Sequence, residues 1–484
     1  MKKLVFSAIA VVAVLSSACD KTPKAILETS TESIEASWEE QDLSLTVTCN
    51  NAWTIAPVNE CNWVSVSPEE GEGDAELVFS FKENTEKEER NIEFKLTSAG
   101  IEKTITVKQK IYEVPGEAIN LSENGTANCY IVKPGSTSAF NCKVKGNSAE
   151  EIGKVEGVQL VWQDEKGLVK NLKYAPASEQ IVVECSEIAG NALVAAVDAE
   201  GNILWSWHLW ITDYDPAATL YTTEANASGT QWSFMDRNLG TTTMEKGTFR
   251  KNAGLIYQWG RKDPFPAAIS YTVQNEDYSY QVDGEPTLYD ISNNELPKVS
   301  SKASYEGSIA LGIAHPDVFY KVGSRNTGNV DEYGEPIYEK VPRTADWSDT
   351  SDDDAWGGVS MKKSVYDPCP VGYKVPVCDA DGNTPYAWMI YKDMVWDSEY
   401  KGATQNGQWF PTIGTRVYAS GGLDYTESYP YSGMWIGTAG KASSNLEEYP
   451  TLYGQYMFII KGKRTYKVNK DCRAQGLSLR CVAE

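Results

Sequence analysis

Apolar and polar residues alternate along several short runs between positions 31 and 110. These runs lie at 43–47, 77–81, 92–96 and 101–107. Polar turns such as Pro-Glu-Glu-Gly at 68–71 separate them. Because successive side chains of a strand point to opposite faces, a period of two with a turn after roughly every 8–12 residues is typical of a β-sandwich. The pattern predicts an all-β sandwich over residues 31–110.

A second group of strand-like segments follows a short linker that contains Pro115 and Gly116. The segments lie at 129–133, 139–144, 157–162, 168–174, 180–183, 193–197 and 203–212. This density of strands in about 100 residues favours another sandwich, which we place at 117–213. His208 has no second histidine and no cysteine pair nearby in sequence, so we interpret it as a packed strand residue rather than a metal ligand.

Residues 217–484 have a different pattern, with few continuous apolar runs and most of the 27 tyrosines of the chain. Long polar stretches, including 267–365, interrupt the apolar segments. This composition predicts a loop-rich domain in which small strands and one or two helices support long insertions. The chain is therefore expected to be multidomain, with two all-β sandwiches followed by a loop-rich α+β domain.

The N-terminus has the pattern of an export signal. Lys2 and Lys3 precede an apolar run that ends in small residues before Cys19, and the run is shorter than the roughly 20 residues that span a membrane. It resembles a bacterial lipoprotein signal, which implies a signal peptide at 1–18, acylation of Cys19 and a tether at 19–30. We expect an outer-membrane protein, lipid-anchored on the periplasmic or cell-surface side; a plain secretory signal is the alternative.

Composition argues against several classes of function. Lys and Arg total 44 and Asp and Glu total 67, so the net charge is −23, which argues against nucleic acid as a partner. The chain has two histidines, and no motif places a nucleophile beside its base or a phosphate-binding loop before a lysine. We therefore predict a non-enzyme with no catalytic residue, no metal and no cofactor. A carboxylate pair of the glycosidase type is the remaining catalytic alternative.

Cysteines of an exported protein are expected to form disulfides. The four cysteines of the last module, Cys369, Cys378, Cys472 and Cys481, allow three pairings. Nested Cys369–Cys481 and Cys378–Cys472 bridges would suit two antiparallel segments, and two local bridges are the alternative. Closing a loop of about 110 residues would stabilise the fold by about 4–5 kcal/mol.

Two segments of the first module resemble the BACON family. They read Cys-Asn-Asn-Ala-Trp-Thr-Ile at 49–55 and Trp-Val-Ser-Val-Ser-Pro at 63–68. The resemblance implies an immunoglobulin-like sandwich in a Bacteroidetes surface protein, with a role in binding carbohydrate or mucin. Trp53 and Trp63 are either sugar-stacking platforms or core residues, and their alternating context favours the core. Cys49 and Cys61 are also placed among the disulfide-bonded cysteines.

Segments of the second module, at 128–132 and 201–210, resemble fimbrillin-like lipoproteins of the same bacterial group. That resemblance implies another immunoglobulin-like sandwich and no particular chemistry. The pairing of the cysteines in this region, Cys129, Cys142 and Cys185, stays open.

Four segments of the last module resemble the Fibrobacter succinogenes major paralogous domain. They lie at 235–240, 257–266, 366–376 and 476–482, and the third contains Pro-Cys-Pro-Val-Gly-Tyr. The resemblance implies a C-type-lectin-like fold, whose terminal strands lie together under long ligand-binding loops. The calcium-binding motifs of C-type lectins are absent. Residues 379–383 look like half a calcium loop but lack the remaining oxygen ligands at EF-hand spacing, so we interpret them as a turn. Arg237, Arg261 and Asp263 are interpreted as residues that hold turns rather than as surface contacts.

Aromatic residues are concentrated in a Gly- and Pro-rich stretch at 417–435. They are Tyr418, Tyr425, Tyr429, Tyr431 and Trp435. Because aromatics on a loop are harder to bury together than those on an alternating strand, we predict a ligand-binding surface here; a loop folded onto a small core is the alternative. Tyr449, Tyr453 and Tyr456 form a similar, weaker group.

These features together predict a lipid-anchored cell-envelope protein whose C-terminal domain binds a glycan, such as a polysaccharide or mucin, or another surface ligand. The alternative is a structural or adhesive accessory at the tip of fimbria-like appendages, which would bind fimbrial or envelope proteins.

Overall fold

The computed structural model describes residues 24–246, 248–268, 284–303, 307–322, 324–340, 346–385, 395–405, 407–424, 431–440, 453–460 and 468–484. The chain divides into two units, residues 1–112 and 113–484, and both are mainly β-sheet. Among the described residues, no helix is long and apolar enough to cross a membrane. The predicted signal peptide and Cys19 lie outside the described residues.

The first unit is a sandwich of two sheets. Its strands are β1 (Leu27–Thr29), β2 (Ser33–Ala36), β3 (Gln41–Cys49), β4 (Ala52–Pro57), β5 (Val64–Ser67), β6 (Glu70–Glu72), β7 (Ala75–Phe81), β8 (Arg90–Ser98) and β9 (Ile101–Gln109). One sheet has the order β1-β3-β7-β5 and the other the order β2-β9-β8-β4-β6. Phe79 packs edge-on against Phe94 of the facing sheet, with ring centroids 5.2 Å apart. Apolar residues that alternate along β3, β7 and β8 fill this core, as the sequence predicts.

The second unit begins with another pair of sheets. The strands are β10 (Ile119–Asn120), β11 (Cys129–Val132), β12 (Thr137–Asn141), β13 (Gly157–Gln163), β14 (Val169–Ala175), β15 (Gln180–Cys185), β16 (Gly190–Val197) and β17 (Ile203–Ile211). The sheet orders are β10-β12-β15-β14 and β11-β17-β16-β13. Phe140 connects the two sheets, because its ring lies 4.7 Å from that of Tyr130 and 5.4 Å from that of Trp207.

The remainder of the second unit is built around a larger sheet. After a 3₁₀ turn (Pro216–Ala218), its elements are β18 (Tyr221–Thr222), β19 (Ser233–Phe234), α1 (Phe249–Ala253), β20 (Leu255–Gln258), β21 (Phe265–Pro266), β22 (Ser301–Ala303), α2 (Ile309–Ala314), β23 (Phe319–Lys321), β24 (Ser324–Val330), β25 (Pro336–Lys340), β26 (Tyr373–Lys374), β27 (Val395–Asp397), β28 (Gly402–Gln405), β29 (Gln408–Pro411), β30 (Thr415–Arg416), β31 (Leu423–Asp424), β32 (Tyr431–Gly440), β33 (Tyr453–Ile460), β34 (Val468–Cys472), β35 (Gly476–Ser478) and β36 (Val482–Ala483). The main sheet runs β21-β20-β35-β32-β33-β34. In the described part of the chain the helices of this region are short, so it is largely β where the sequence predicts α+β.

The last strand of residues 217–484 pairs with a strand from the start of this region. β36 pairs with β19, where Val482 faces Phe234, and with β26, where Ala483 faces Tyr373. A disulfide between Cys369 and Cys481, with Cα atoms 6.1 Å apart, fixes the same place covalently. The two ends of this region are therefore held together.

Strand β17 joins the two halves of the second unit into one core. It reads Ile-Leu-Trp-Ser-Trp-His-Leu-Trp-Ile and is buried on both faces. Trp207 on one face packs within the sandwich, whereas Trp210 on the other belongs to the same apolar cluster as Trp259 and Trp435. A strand that is apolar on both faces needs a cover on each. The boundary predicted between 213 and 217 consequently lies inside a continuous core.

Buried polar contacts reinforce this junction. The Asn191 amide donates to the Gly240 carbonyl at 3.0 Å, and the Trp210 indole donates to the Thr241 carbonyl at 3.1 Å. Lys262 Nζ donates to the Ser206 carbonyl at 2.9 Å. Because a buried donor without a partner costs free energy, each of these contacts favours this one arrangement of the two halves.

Three charged residues that we interpret from the sequence as structural have partners within the fold: Arg237, Arg261 and Asp263. Arg237 forms an ion pair with Asp236 at 2.8 Å. Arg261 is buried and donates to the carbonyls of Val318 and His315 at 2.7 and 2.9 Å. Asp263 is buried and accepts from Ser206 Oγ at 2.7 Å. They fasten segments that are distant in sequence as well as local turns.

Candidate functional site

Trp435, one of the predicted ligand-binding residues, is fully buried in β32. Its indole donates to the Tyr257 carbonyl at 2.8 Å, and its ring packs edge-on against Tyr456 at 5.9 Å. A ring enclosed in this way has no face for a ligand. The structure thus corrects the prediction for Trp435, because the stretch that looks like a Gly-rich loop continues into a central strand of the main sheet.

The other predicted residues of that stretch divide into two groups. Tyr425 and Tyr429 lie outside the described residues, as does Tyr449. Tyr431 opens β32, and its hydroxyl donates to Asp424 Oδ2 at 3.0 Å and lies 3.2 Å from Thr415 Oγ1. Burial raises the pKa of Tyr431, with Asp424 adding to the effect. Its hydroxyl is therefore neutral and fixed in orientation.

Tyr418 is more exposed than Tyr431, with 36% of its surface accessible. Its backbone is tightly held, because its N–H donates to Gln475 Oε1 and its carbonyl accepts from the Val322 N–H, both at 2.7 Å. The pKa of Tyr418 is raised by Cys472, by partial burial and by Asp471. An anchored backbone with an accessible ring is the geometry expected of a contact residue.

Asp471 on β34 and Tyr453 on β33 are within electrostatic range of each other and of Tyr418. β33 pairs with β34 so that Tyr453 faces Cys472 and Gly454 faces Asp471. Burial, and then Cys472, Asp471 and Tyr418, raise the pKa of Tyr453. Asp471 also raises the pKa of Tyr431, so one carboxylate acts on three tyrosines. The tyrosine–aspartate cluster is defined here as Tyr418, Tyr431, Tyr453, Asp424 and Asp471.

Asp471 is the residue that sequence reasoning missed. Its Oδ1 accepts the Cys472 N–H at 2.7 Å, and it has no ion-pair partner in the described part of the chain. Burial raises its pKa above the ordinary aspartate value. A half-buried carboxylate beside tyrosine rings can accept hydrogen bonds from ligand hydroxyls, while the rings offer apolar faces. No sequence pattern marks this residue, because only the folded chain brings its charge within range of the three tyrosines.

The cysteines next to this surface are not bridged to each other. Cys378 and Cys472 are both free thiols, which corrects the predicted second bridge. Gln455 occupies the position beside Cys378, with Oε1 3.8 Å from Sγ. Burial raises the pKa of Cys472 to about 12, so its thiol stays protonated.

The first unit also differs from the disulfide prediction. Cys49 and Cys61 are free. The Cys49 thiol points into the core, where it donates to the Asn51 carbonyl and lies 3.2 Å from Ser98 Oγ. Cys61 is half-buried and lies outside any strand. It is also a free thiol, so the predicted involvement of Cys49 and Cys61 in disulfides is wrong.

A buried Cys–His–Asn arrangement lies on β11, β16 and β17. His208 Nδ1 is 3.3 Å from Cys129 Sγ, and Nε2 is 3.0 Å from Asn191 Oδ1. Burial lowers the pKa of His208 to about 3 and raises that of Cys129. A neutral imidazole beside a protonated, fully enclosed thiol is a packing contact and not an activated nucleophile. Cys142 and Cys185 are likewise buried free thiols.

The described residues contain no group of three or more His, Cys, Asp or Glu side chains placed to hold a metal ion. Asp379 accepts the Asn383 N–H at 2.8 Å and the Asn226 amide at 2.7 Å. These bonds close a turn and occupy both carboxylate oxygens, in agreement with the interpretation of 379–383 as a turn.

The first unit has a cleft of about 590 Å³ above Trp53. Thr54, Glu70 and Thr97 line it, and Gly71 covers the Trp53 ring. Trp53 is buried and its indole donates to the Gly73 carbonyl at 2.9 Å, so it is a core residue and not a stacking platform. Trp63 is half-buried, with the Arg90 guanidinium 5.9 Å from its ring.

Comparison with known proteins identifies part of the first unit. The family model "BACON: Putative binding domain, N-terminal" matches residues 51–110. The first unit contains a BACON domain. This confirms the predicted family for the N-terminal module, and the description of that family as a binding domain is compatible with a binding protein.

No curated protein matches the chain. The solved structures that resemble it include the Bacteroides ovatus GH5 xyloglucanase in complex with a XXXG heptasaccharide, at 21% identity, 26% coverage of this chain and a TM-score of 0.18. They also include WR4, a C. elegans MSP family member, at 13% identity, 18% coverage of this chain, 97% of its own and a TM-score of 0.15. The chain spans about 30% of the xyloglucanase. TM-scores this low do not place the whole chain in either fold.

Proposed function

We propose that this protein is a lipid-anchored envelope protein that binds glycans, such as polysaccharide or mucin chains, through the tyrosine–aspartate cluster. The observation that carries the proposal is the accessible Tyr418 ring on an anchored backbone, within electrostatic range of the half-buried Asp471 carboxylate, which raises the pKa of Tyr418. Sugars combine apolar ring faces with hydroxyl donors, and this cluster offers an aromatic face and a hydrogen-bond acceptor for them. The BACON domain, as a binding domain, is compatible with this role.

The tethering part of the proposal rests on the sequence before residue 24. Acylation at Cys19 would hold the protein in the outer membrane, on its periplasmic or cell-surface side, and the BACON domain would follow directly after the tether. For residues 217–484 we propose a C-type-lectin-like arrangement, supported by the pairing of β36 with β19 and β26 and by the Cys369–Cys481 bridge.

The binding proposal is tested with the chain from Asp20 onward, which lacks the proposed acylation site. Binding to an array of polysaccharides and mucin oligosaccharides is expected, and Tyr418→Ala should weaken it by about tenfold, with a similar loss for Asp471→Asn. Tyr400→Ala is the matched control, because Tyr400 is equally exposed at 37% and lies outside the cluster. Equal losses in the Tyr418 and Tyr400 variants, or no retained glycan, would contradict the proposal. We also expect bound oligosaccharides to keep their length, since the proposal involves no catalysis.

A second candidate function is protein adhesion in fimbria-like appendages, and one feature favours it. The β24–β25 hairpin presents a tip whose side chains are exposed throughout, with Tyr333 82% accessible and Val330 and Ile337 also outside the core. Asp331 holds the turn by accepting the N–H groups of Tyr333 and Glu335 at 2.9 Å. Exposed apolar side chains on an ordered turn are typical of protein contacts. Co-purification of fimbrial subunits that is lost with Tyr333→Ser would support this function over glycan binding.

A further inference from the structure

A second cleft, of about 710 Å³, lies on the second unit and shares no residue with the tyrosine–aspartate cluster. It forms where the loop at 124–126 meets the segments 361–363 and 371–374 and the side chain of Glu484. The volume is within the range of roughly 300–1,000 Å³ that is usual for small-molecule sites. We call it the lysine cleft, because Lys362, Lys363 and Lys374 line it.

Lys363 forms part of the structure beneath the cleft. Its ammonium donates to the carbonyls of Cys369, Pro370 and Tyr373, with distances of 3.0 and 2.6 Å to the first two. These bonds use its three donors, and burial lowers its pKa. Lys363 therefore holds the turn around the disulfide in place and is not itself free to bind a ligand.

Lys362 and Lys374 have donors to spare. Lys362 is exposed, and its ammonium has no partner among the residues that the structure describes. Lys374 donates to the Met361 carbonyl at 3.2 Å, which leaves two of its three N–H groups available. The one acidic side chain that lines the cleft is that of Glu484, which lies 3.7 Å from the buried Lys363.

Neutral donors stand on the opposite wall. The side chains of Asn124 and Thr126 line the cleft without a partner in the described part of the chain. Asn147 fixes this wall to the other, because its amide donates to the carbonyls of Ser364 and Asp367, both at 3.0 Å. The cleft is thus a preformed space with cations on one side and hydrogen-bonding groups on the other.

The charge of this cleft is opposite to that of the whole molecule. The chain carries a net charge of −23, so the molecule as a whole repels anions. Three lysines and one glutamate line this cleft. The Asn124 amide and the Thr126 hydroxyl, which also line it, can form hydrogen bonds with sugar hydroxyls. We propose that the lysine cleft binds an acidic sugar unit, whose carboxylate or sulfate oxygens contact Lys362 and Lys374 while its hydroxyls contact Asn124 and Thr126.

Calorimetric titration of the chain from Asp20 onward tests this proposal. The probes are trigalacturonate, which carries carboxylates, a sulfated glucosamine-containing disaccharide, and neutral cellotriose. At least one acidic probe is expected to bind, more weakly as salt is raised, and cellotriose is not. The acidic probe that binds more tightly identifies the anionic group that the cleft prefers.

The variants Lys362→Gln and Lys374→Gln should each weaken binding of the acidic probe by about tenfold, because each removes a charge-assisted hydrogen bond. Their combination should abolish it. Lys298→Gln is the matched control, since Lys298 is exposed and does not line the cleft. Unchanged thermal unfolding will show that the variants are folded. Equal binding of cellotriose, an unaffected double variant, an equal loss in Lys298→Gln, or no binding of either acidic probe would overturn the proposal.

Discussion

The Lys262–Asp263 ion pair offers a direct test of whether residues 117–213 and 217–484 fold as one unit. Both side chains are almost fully enclosed, at 2% and 3% exposure, and their charged atoms are 2.6 Å apart. Lys262 also donates to Ser206 Oγ at 2.5 Å and lies 4.6 Å from the Trp205 ring. The pair therefore connects the segment after β20 to strand β17 of the sandwich.

Lys262→Met should destabilise the second unit by about 3–5 kcal/mol. That is the usual cost of removing one partner of a buried pair, since the other charge is left uncompensated. Among the described residues, the Asp263 carboxylate would then keep the Ser206 hydroxyl as a hydrogen-bond partner and the more distant charge of Arg261. The double variant Lys262→Met/Asp263→Asn should recover part of the loss, because it removes both charges of the pair and an amide oxygen can still accept the Ser206 hydroxyl.

The assay is urea unfolding followed by tryptophan fluorescence and by hydrogen exchange. The exchange rates of β16–β17 and of β32–β33 should rise together in the Lys262→Met variant, because both strand pairs belong to one cooperative unit. Lys298→Met serves as the exposed control. A loss below about 1 kcal/mol, or exchange that rises in β16–β17 alone, would refute the reasoning that the halves are fused.

Three further predictions concern single contacts. Cys369→Ser should lower the free energy of unfolding by about 5 kcal/mol, because the bridge closes a separation of 112 residues; an unchanged urea midpoint under non-reducing conditions would contradict this. Burial raises the pKa of Asp346 to about 6, so the folded state keeps a proton that the unfolded state releases near pH 4. The free energy of unfolding should therefore fall as the pH rises from about 4 to about 6. Asp346→Asn should remove this contribution, at most about 1.4 kcal/mol per pH unit, as measured by urea unfolding across pH. Gly71→Ala should destabilise the BACON domain by about 1–3 kcal/mol, since a Cβ there would lie 2.4 Å from the Trp53 ring; an unchanged melting temperature would count against it.

The sandwich of the first unit was predictable because its strands each bury one face. In β3, Leu45 and Val47 point inward and their neighbours point to solvent, so the period of two is visible in the sequence. The structure confirms the Cys369–Cys481 bridge, which was predicted as the outer of two nested bridges; Pro368 and Pro370 restrict the backbone on either side of Cys369. These features depend on local rules, which a single sequence displays.

The burial of Trp435 was not predictable, because the glycines near it in sequence were interpreted as belonging to a loop, whereas they lie in strand β32. A Cβ at Gly433 would lie 2.8 Å from the Leu477 side chain, and one at Gly437 would lie 2.9 Å from the Trp356 carbonyl. These two positions require glycine because neighbouring segments of the chain approach β32 closely there. The role of Asp471 likewise depends on strand pairing, to which the sequence gives no clue.

The fused core of the second unit has a consequence for locating ligands. A ligand that binds only the folded state stabilises the whole cooperative unit that contains its site, by about 2.7 kcal/mol at a concentration 100 times the dissociation constant. Residues 113–484 form one compact unit, in which one apolar cluster spans both halves, and residues 1–112 have their own core. A ligand of the tyrosine–aspartate cluster or of the lysine cleft should therefore raise the unfolding midpoint of the second unit and leave that of the BACON domain unchanged. A glycan that instead stabilises the BACON domain alone would show that the binding role lies in the first unit, and both proposed sites in the second would then have to be abandoned for that glycan.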